Sequence, residues 1–224
     1  MNVVLTAPSP TSRTPNLPVA GAISLEFFTA QDYIMRRLMR LFREGAGPHA
    51  LEVSMAGVKL GDRLLQLRCG NGKMMAAIAA KVGLTGQASA IDDDPDGCER
   101  GRTAAVREGV LVEIEQGSYG ALPYDEGAFD VAVLWDLVGR LTPERRVACL
   151  QQTLRVLRPG GRVLVIERVP RGGLGALLGG PTIDPTYAAS GGAQPALGAE
   201  GFKAARRLAE RAGLAFFEAT KPVV

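Results

Sequence analysis

The chain has 224 residues, 46% of them hydrophobic and 22% charged, which supplies a packed core and excludes a generally disordered chain. Against 23 acidic residues stand 26 basic ones, and a net charge of +3 is too mild to argue for nucleic acid. No apolar run reaches the ~18 residues of a membrane-spanning helix. Glycine is abundant, with 28 residues, but it has no three-residue period, which excludes collagen. Cys69, Cys98 and Cys149 are far apart and form no C-x-x-C pair. Neither a disulfide framework nor a zinc site is expected, and a reduced, cytoplasmic setting is the natural expectation. His49 is the only histidine, which removes His-clustered metal sites; beside Gly47-Pro48 it reads as a surface residue.

Residues 1–20 carry Pro8, Pro10, Pro15 and Pro18 and read as a flexible leader without the basic lead or apolar centre of a secretory signal. Residues 21–57 read as a helical cap. Its first helix spans Ser24 to Arg43, with Leu25, Phe28, Ile34, Leu38 and Leu41 on one side and Arg36, Arg37, Arg40 and Arg43 on the other. That basic face would suit anionic headgroups in a peripheral membrane contact, or simply solvent; with 21 arginines and 5 lysines in the chain, it is weakly diagnostic. A second short helix is expected from Ala50 to Met55. Elements then alternate through residues 58–224. Strands are predicted at Arg63–Leu67, Gln87–Ile91, Val110–Ile114, Phe129–Trp135, Gly161–Glu167 and Leu214–Ala219. Helices are predicted at Lys73–Val82, Pro95–Glu108, Pro143–Leu157 and Phe202–Ala212. This is an α/β pattern: a Rossmann-like, doubly wound, mostly parallel sheet with helices on both faces. Only one strand follows the last helix, so the C-terminal edge is expected to be short, an edge that would favour a homodimer. Gly172 to Ala199, with eight glycines, three prolines and one charge, reads as an insert, either a linker or a substrate cover.

Chemistry concentrates at Gln66-Leu67-Arg68-Cys69-Gly70-Asn71-Gly72, a strand running through a glycine turn into a helix. Such a turn lets backbone approach a ligand and leaves N–H groups free as donors. The second strand ends at Asp92, where a carboxylate can accept both hydroxyl hydrogens of a ribose. A dinucleotide-binding dehydrogenase is the main rival, but its G-x-G-x-x-G turn needs glycine or alanine where Met75 stands.

These residues, together with Leu122-Pro123-Tyr124-Asp125-Glu126-Gly127-Ala128-Phe129-Asp130 and Arg155-Val156-Leu157-Arg158-Pro159-Gly160-Gly161, resemble the class I S-adenosylmethionine-dependent methyltransferases. The likeness is to their small-molecule branch, the ubiquinone and menaquinone biosynthesis C-methyltransferases. It covers roughly residues 57–168. It implies S-adenosylmethionine as cofactor and a small-molecule acceptor. It also implies a cofactor site drawn from Gln66, Arg68, Cys69, Gly70, Gly72, Asp92, Asp93, Ser118, Tyr119 and Trp135. Asp136 and Glu167, on the rim formed by the strand ends, are the candidate proton acceptors. The sequence departs from the family at three positions: Gln66 replaces an acid, Arg68 a glycine, and Ser118 an aspartate. These departures keep a second function open, a degenerate methyltransferase-like domain that binds another ligand or a protein without catalysis.

Overall fold

The computed structural model describes residues 47–169 and 183–223. The expected leader, the arginine-faced first helix and the 172–182 part of the insert lie outside the described residues.

Helix α1 spans Ala50–Ala56 and ends at Gly57 in the left-handed region. Strand β1, Arg63–Leu67, leads into α2, Lys73–Ala79. Then come β2, Gln87–Asp92, and α3, Pro95–Glu108, whose bounds match expectation because its signals are strong. Asp94 caps it by accepting from the Asp96 N–H, and Pro95 opens it where no donor is needed. Strand β3 covers Glu113–Gln116 and β4 Phe129–Trp135. A 3-10 turn at Val138–Arg140 precedes α4, Pro143–Val156, and β5, Leu157–Arg168.

One sheet holds seven strands in the order β3-β2-β1-β4-β5-β7-β6, where β6 is Lys203–Arg211 and β7 is Leu214–Thr220. The first five are parallel, and β7 joins β5 antiparallel. Helices α2 and α3 follow β1 and β2 and cover one face. Its core includes Leu64, Val131, Val133, Leu164, Ile166 and Phe216 against Ala56, Met74 and Ile78. Helix α4 covers the other face, over Leu65, Leu67, Ala132, Leu134, Val163 and Val165. The strand order therefore reverses between β1 and β4, the place where open α/β sheets leave a crevice for ligands.

Two expectations are corrected. Residues 203–211 form a strand, not a helix, so the edge is closed by an antiparallel pair and is not shortened. The segment is rich in alanine, arginine and glutamate, which favour helix, but pairing with β7 overrides that preference. Arg211 pairs with Leu214, leaving Ala212 and Gly213 as a two-residue loop, both at positive φ as a type I′ hairpin turn requires. The ground for a homodimer in an unfinished edge falls away. Lys203, Arg206, Arg207, Glu210 and Arg211 instead charge the outer strand against further pairing.

The second correction concerns the insert. Its described part forms α5, Pro185–Ala189, and α6, Ala193–Ala199. Tyr187, Ala193 and Leu197 are buried in the main core, so this stretch is neither linker nor loose excursion.

Gly72 enters α2 at φ +77, and a Cβ there would lie 2.6 Å from the Arg100 carbonyl and 2.7 Å from the Ala104 Cβ. The closeness of α2 and α3 depends on that missing methyl. Gly72→Ala adds both overpacking and backbone strain, with an expected destabilisation of about 2–4 kcal/mol. The urea-unfolding midpoints of variant and parent measure it.

Candidate active site

The sheet positions this site through a change in hydrogen-bonding partners. The ladder between β1 and β4 ends at the pair Leu67 and Leu134. Beyond it, the Arg68 N–H turns to the Ile91 carbonyl of β2 at 2.8 Å, while the Asp136 N–H turns to the Ile166 carbonyl of β5 at 2.7 Å. The two strand ends diverge there, and the Arg68 side chain spans them to the Asp136 carbonyl at 2.9 Å and its carboxylate at 3.1 Å.

Gln66 sits on the β1 face that β4 shares through Val133. It is fully buried. Its Nε2 donates to the Arg68 carbonyl at 3.1 Å, while Oε1 is buried with no hydrogen-bond partner. A buried acceptor without a donor is rare, and it suits a ligand that brings one. Gly70, at φ +63, lies so close under the Trp135 indole that a Cβ would be 2.7 Å from Nε1. Trp135 thus lies over the glycine turn while packing against the core on one face of the sheet.

Asp92 is 2% exposed and well supplied with donors. Oδ2 accepts from the Cys69 N–H at 2.7 Å; Oδ1 accepts from the Tyr119 hydroxyl at 2.7 Å and the Asp94 N–H at 3.2 Å. Burial and the hydrogen bond to this carboxylate push the Tyr119 hydroxyl well above its ordinary range. Burial, with Asp92 adding to it, pushes the Cys69 thiol up to about 12. Cys69 is thus an inert core thiol whose backbone N–H does the work. The structure ties Cys69, Asp92 and Tyr119 together, with the Asp93 N–H donating to the Tyr119 hydroxyl at 3.2 Å, and gives the side chains of Asp93 and Ser118 separate surroundings. Asp93 is exposed and paired with Arg145 at 2.8 Å, and Ser118 is exposed with Oγ accepting from the Gly120 N–H. Gly72 faces α3.

Asp136 is 4% exposed and stands at φ +45. Its Oδ2 meets three guanidinium groups: Arg140 at 2.6 Å, Arg68 at 3.1 Å and Arg168 at 3.6 Å. Arg140 and Arg168 carry no motif of their own, and nothing in the sequence marks them except the general abundance of arginine. Glu167 is separate from this group. Its Oε1 accepts from the Tyr187 hydroxyl at 2.7 Å and the Gly139 N–H at 3.1 Å. Tyr187, brought in by α5, has no counterpart among the sequence candidates. Among the described residues no cluster of His, Cys, Asp or Glu fits a metal ion, and no helix is long and apolar enough to cross a membrane.

Residues 64–161 match a methyltransferase domain family. The ubiquinone/menaquinone biosynthesis C-methyltransferase UbiE of Pseudomonas putida is 32% identical over 117 residues, covering 51% of this chain and 45% of the relative. Its counterpart from Ectopseudomonas mendocina is 28% identical over 151 residues, covering 66% and 56%. The chain spans about half the length of these relatives. Among solved structures, a SAM-dependent methyltransferase from Aquifex aeolicus superposes with a TM-score of 0.65 at 16% identity, covering 84% of this chain and 97% of that one. The [4+2]-cyclase SpnF gives 0.58 at 20% identity, covering 84% and 81%. At such identities the likeness speaks for the fold alone, and the cyclase shows that one fold hosts different reactions.

Burial raises the Glu167 carboxyl above its ordinary range, opposed by the Tyr187 and Gly139 hydrogen bonds. A raised folded-state pKa means that the folded protein holds the proton more tightly than the unfolded chain. The stabilisation is complete below the ordinary glutamate range and is lost as pH rises through the raised value. Glu167→Gln keeps an acceptor for Tyr187 and Gly139 without titrating. Relative to the parent, the variant is expected to gain stability between pH 4.5 and pH 7.5, as read by urea unfolding at both. A constant difference would exclude the linkage.

Proposed function

We propose that the chain transfers the methyl group of S-adenosylmethionine to a small-molecule acceptor. The observation that carries this is the unpartnered Gln66 Oε1, buried beside the glycine turn at the point where strand order reverses. The residues fit the cofactor. Gln66 supplies a free acceptor for its ammonium, Gly70 and Trp135 a close cradle, and Asp92 a carboxylate at ribose position, with Tyr119 giving up its hydrogen bond to the sugar. The family match and the UbiE relatives support the same reaction class.

The bound sulfonium supplies a methyl group already activated for attack. The protein's task is then alignment and exclusion of water. Trp135 shields the turn, and the walls of the crevice fix the direction of approach. Where the acceptor must lose a proton, Glu167 suits that role better than Asp136. Burial already favours its protonated form, whereas Asp136 Oδ2 is occupied by arginines. A cytoplasmic location, and an acceptor met in solution or at a membrane surface through the Arg36–Arg43 segment, belong to the same proposal.

Calorimetric titration with S-adenosylmethionine and S-adenosylhomocysteine tests it, with binding of both expected and absence of both fatal. Gln66→Leu removes the free acceptor and should weaken S-adenosylhomocysteine about tenfold or more, the worth of one hydrogen bond to a charged group. Equal affinity in the variant would remove Gln66 from the site.

A further inference from the structure

We propose that Arg68, Arg140 and Arg168 form an anion-binding subsite whose resident occupant is Asp136, and that the methyl acceptor carries an anionic group, a carboxylate in the first instance, that takes its place. The assignment to the acceptor rests on the methyl-transfer reading; the subsite itself does not.

Charge is the first argument. Three guanidinium groups converge on one carboxylate oxygen, at 2.6, 3.1 and 3.6 Å, and a single negative charge cannot neutralise them. Among the described residues Glu167 does not serve as a further counterion, since it is turned to Tyr187 and Gly139. Asp184, also nearby in the fold, is paired with Arg146 at 2.7 Å. The donor inventory is unspent as well. Arg140 Nε is buried without a hydrogen-bond partner among the described residues. Planar guanidinium forks are the groups best matched to a carboxylate or phosphate, which they bind through paired N–H donors.

The backbone gives an independent argument. Only four non-glycine residues among those described stand at positive φ, and two of them, Arg68 and Asp136, face each other here. Strain of this kind persists where the surroundings enforce it and clusters at ligand sites. The side chain of Arg68 spans the splayed ends of β1 and β4, donating to the Asp136 carbonyl at 2.9 Å as well as to its carboxylate. An anion entering the crevice meets guanidinium groups already gathered, and exchanging one carboxylate for another keeps the charges paired throughout. Arg68 and Arg140 are about one-third exposed and Arg168 about half, so solvent-borne anions reach them.

Trp135 is the protein's single tryptophan, and the Arg168 guanidinium lies 5.8 Å from its ring centroid, so its fluorescence reports on this cluster. The experiment titrates the full chain with benzoate, with its neutral counterpart benzamide, and with inorganic phosphate. Benzoate and phosphate should shift the emission while benzamide does not. Arg140→Gln and Arg168→Gln should each weaken benzoate about tenfold, the scale of one charge-assisted contact. Asp136→Asn should act the other way, tightening benzoate and recovering thermal stability when benzoate is added; a merely structural aspartate predicts a loss that no anion repairs. Equal response to benzoate and benzamide, or no response to either anion, overturns the proposal. Parallel calorimetry with S-adenosylhomocysteine separates the two readings. Nucleoside binding without an anion response sinks only the subsite, and an anion response without nucleoside binding sinks only methyl transfer. If S-adenosylhomocysteine displaces benzoate but 5′-methylthioadenosine does not, the arginines hold the cofactor's own carboxylate and the assignment to the acceptor is wrong.

Discussion

Past Leu67 and Leu134 the backbone hydrogen bonds of β1 and β4 go their separate ways, and the geometry of the site follows from that divergence. In a parallel sheet each strand end must find partners for its next N–H and C=O groups. Here β1 finds them in β2 and β4 finds them in β5, because the helices that return the chain lie on opposite faces. The gap that opens is not a defect of packing. It is the space left when two halves of one sheet are wound in opposite senses.

What lines the gap has to satisfy buried charge without a ligand's help. Asp92 does so through the Cys69 N–H, the Tyr119 hydroxyl and the Asp94 N–H, and in doing so pins the glycine loop to the end of β2. Its Cγ would lie 2.8 Å from a Cβ at Gly97, so the first turn of α3 is drawn in close behind it. Asp136 solves the same problem differently, with arginines in place of backbone donors. One carboxylate is thereby part of a rigid loop, and the other is held by side chains that can exchange partners.

Much of this was legible in the sequence wherever local and long-range preferences agree. Helix α3 has its cap, its proline and its apolar face in register, and β4 is an unbroken apolar run, so both were found with their bounds intact. β6 failed for the opposite reason. Its residues favour helix, and only the pairing of Arg211 with Leu214 around Ala212-Gly213 makes them a strand, a turn without the Asn-Gly or Asp-Gly that announces such hairpins. Arg68 was conspicuous as a departure from the family, but its direction was not readable, because whether a long side chain blocks a site or bridges it depends on a partner 68 residues away. Tyr187 lies in a glycine- and proline-rich stretch, and nothing local in that stretch marks it as a partner of Glu167.

Arg68 also decides how the departures from the family should be weighed. A glycine at that position enters the left-handed region without a steric cost, whereas an arginine there is strained. Retaining that strain needs a return, and the contacts that Arg68 makes are with Asp136, not with the loop it belongs to. Gln66 is linked to the same residue through the Arg68 carbonyl, which orients its amide and leaves Oε1 free. The Gln66 amide, the Arg68 backbone and side chain and the Asp136 carboxylate are therefore one connected set of contacts. Arg68 and Asp136 offset each other's charge at the strand end, which leaves Gln66 Oε1 as a neutral acceptor for a donor brought by a ligand.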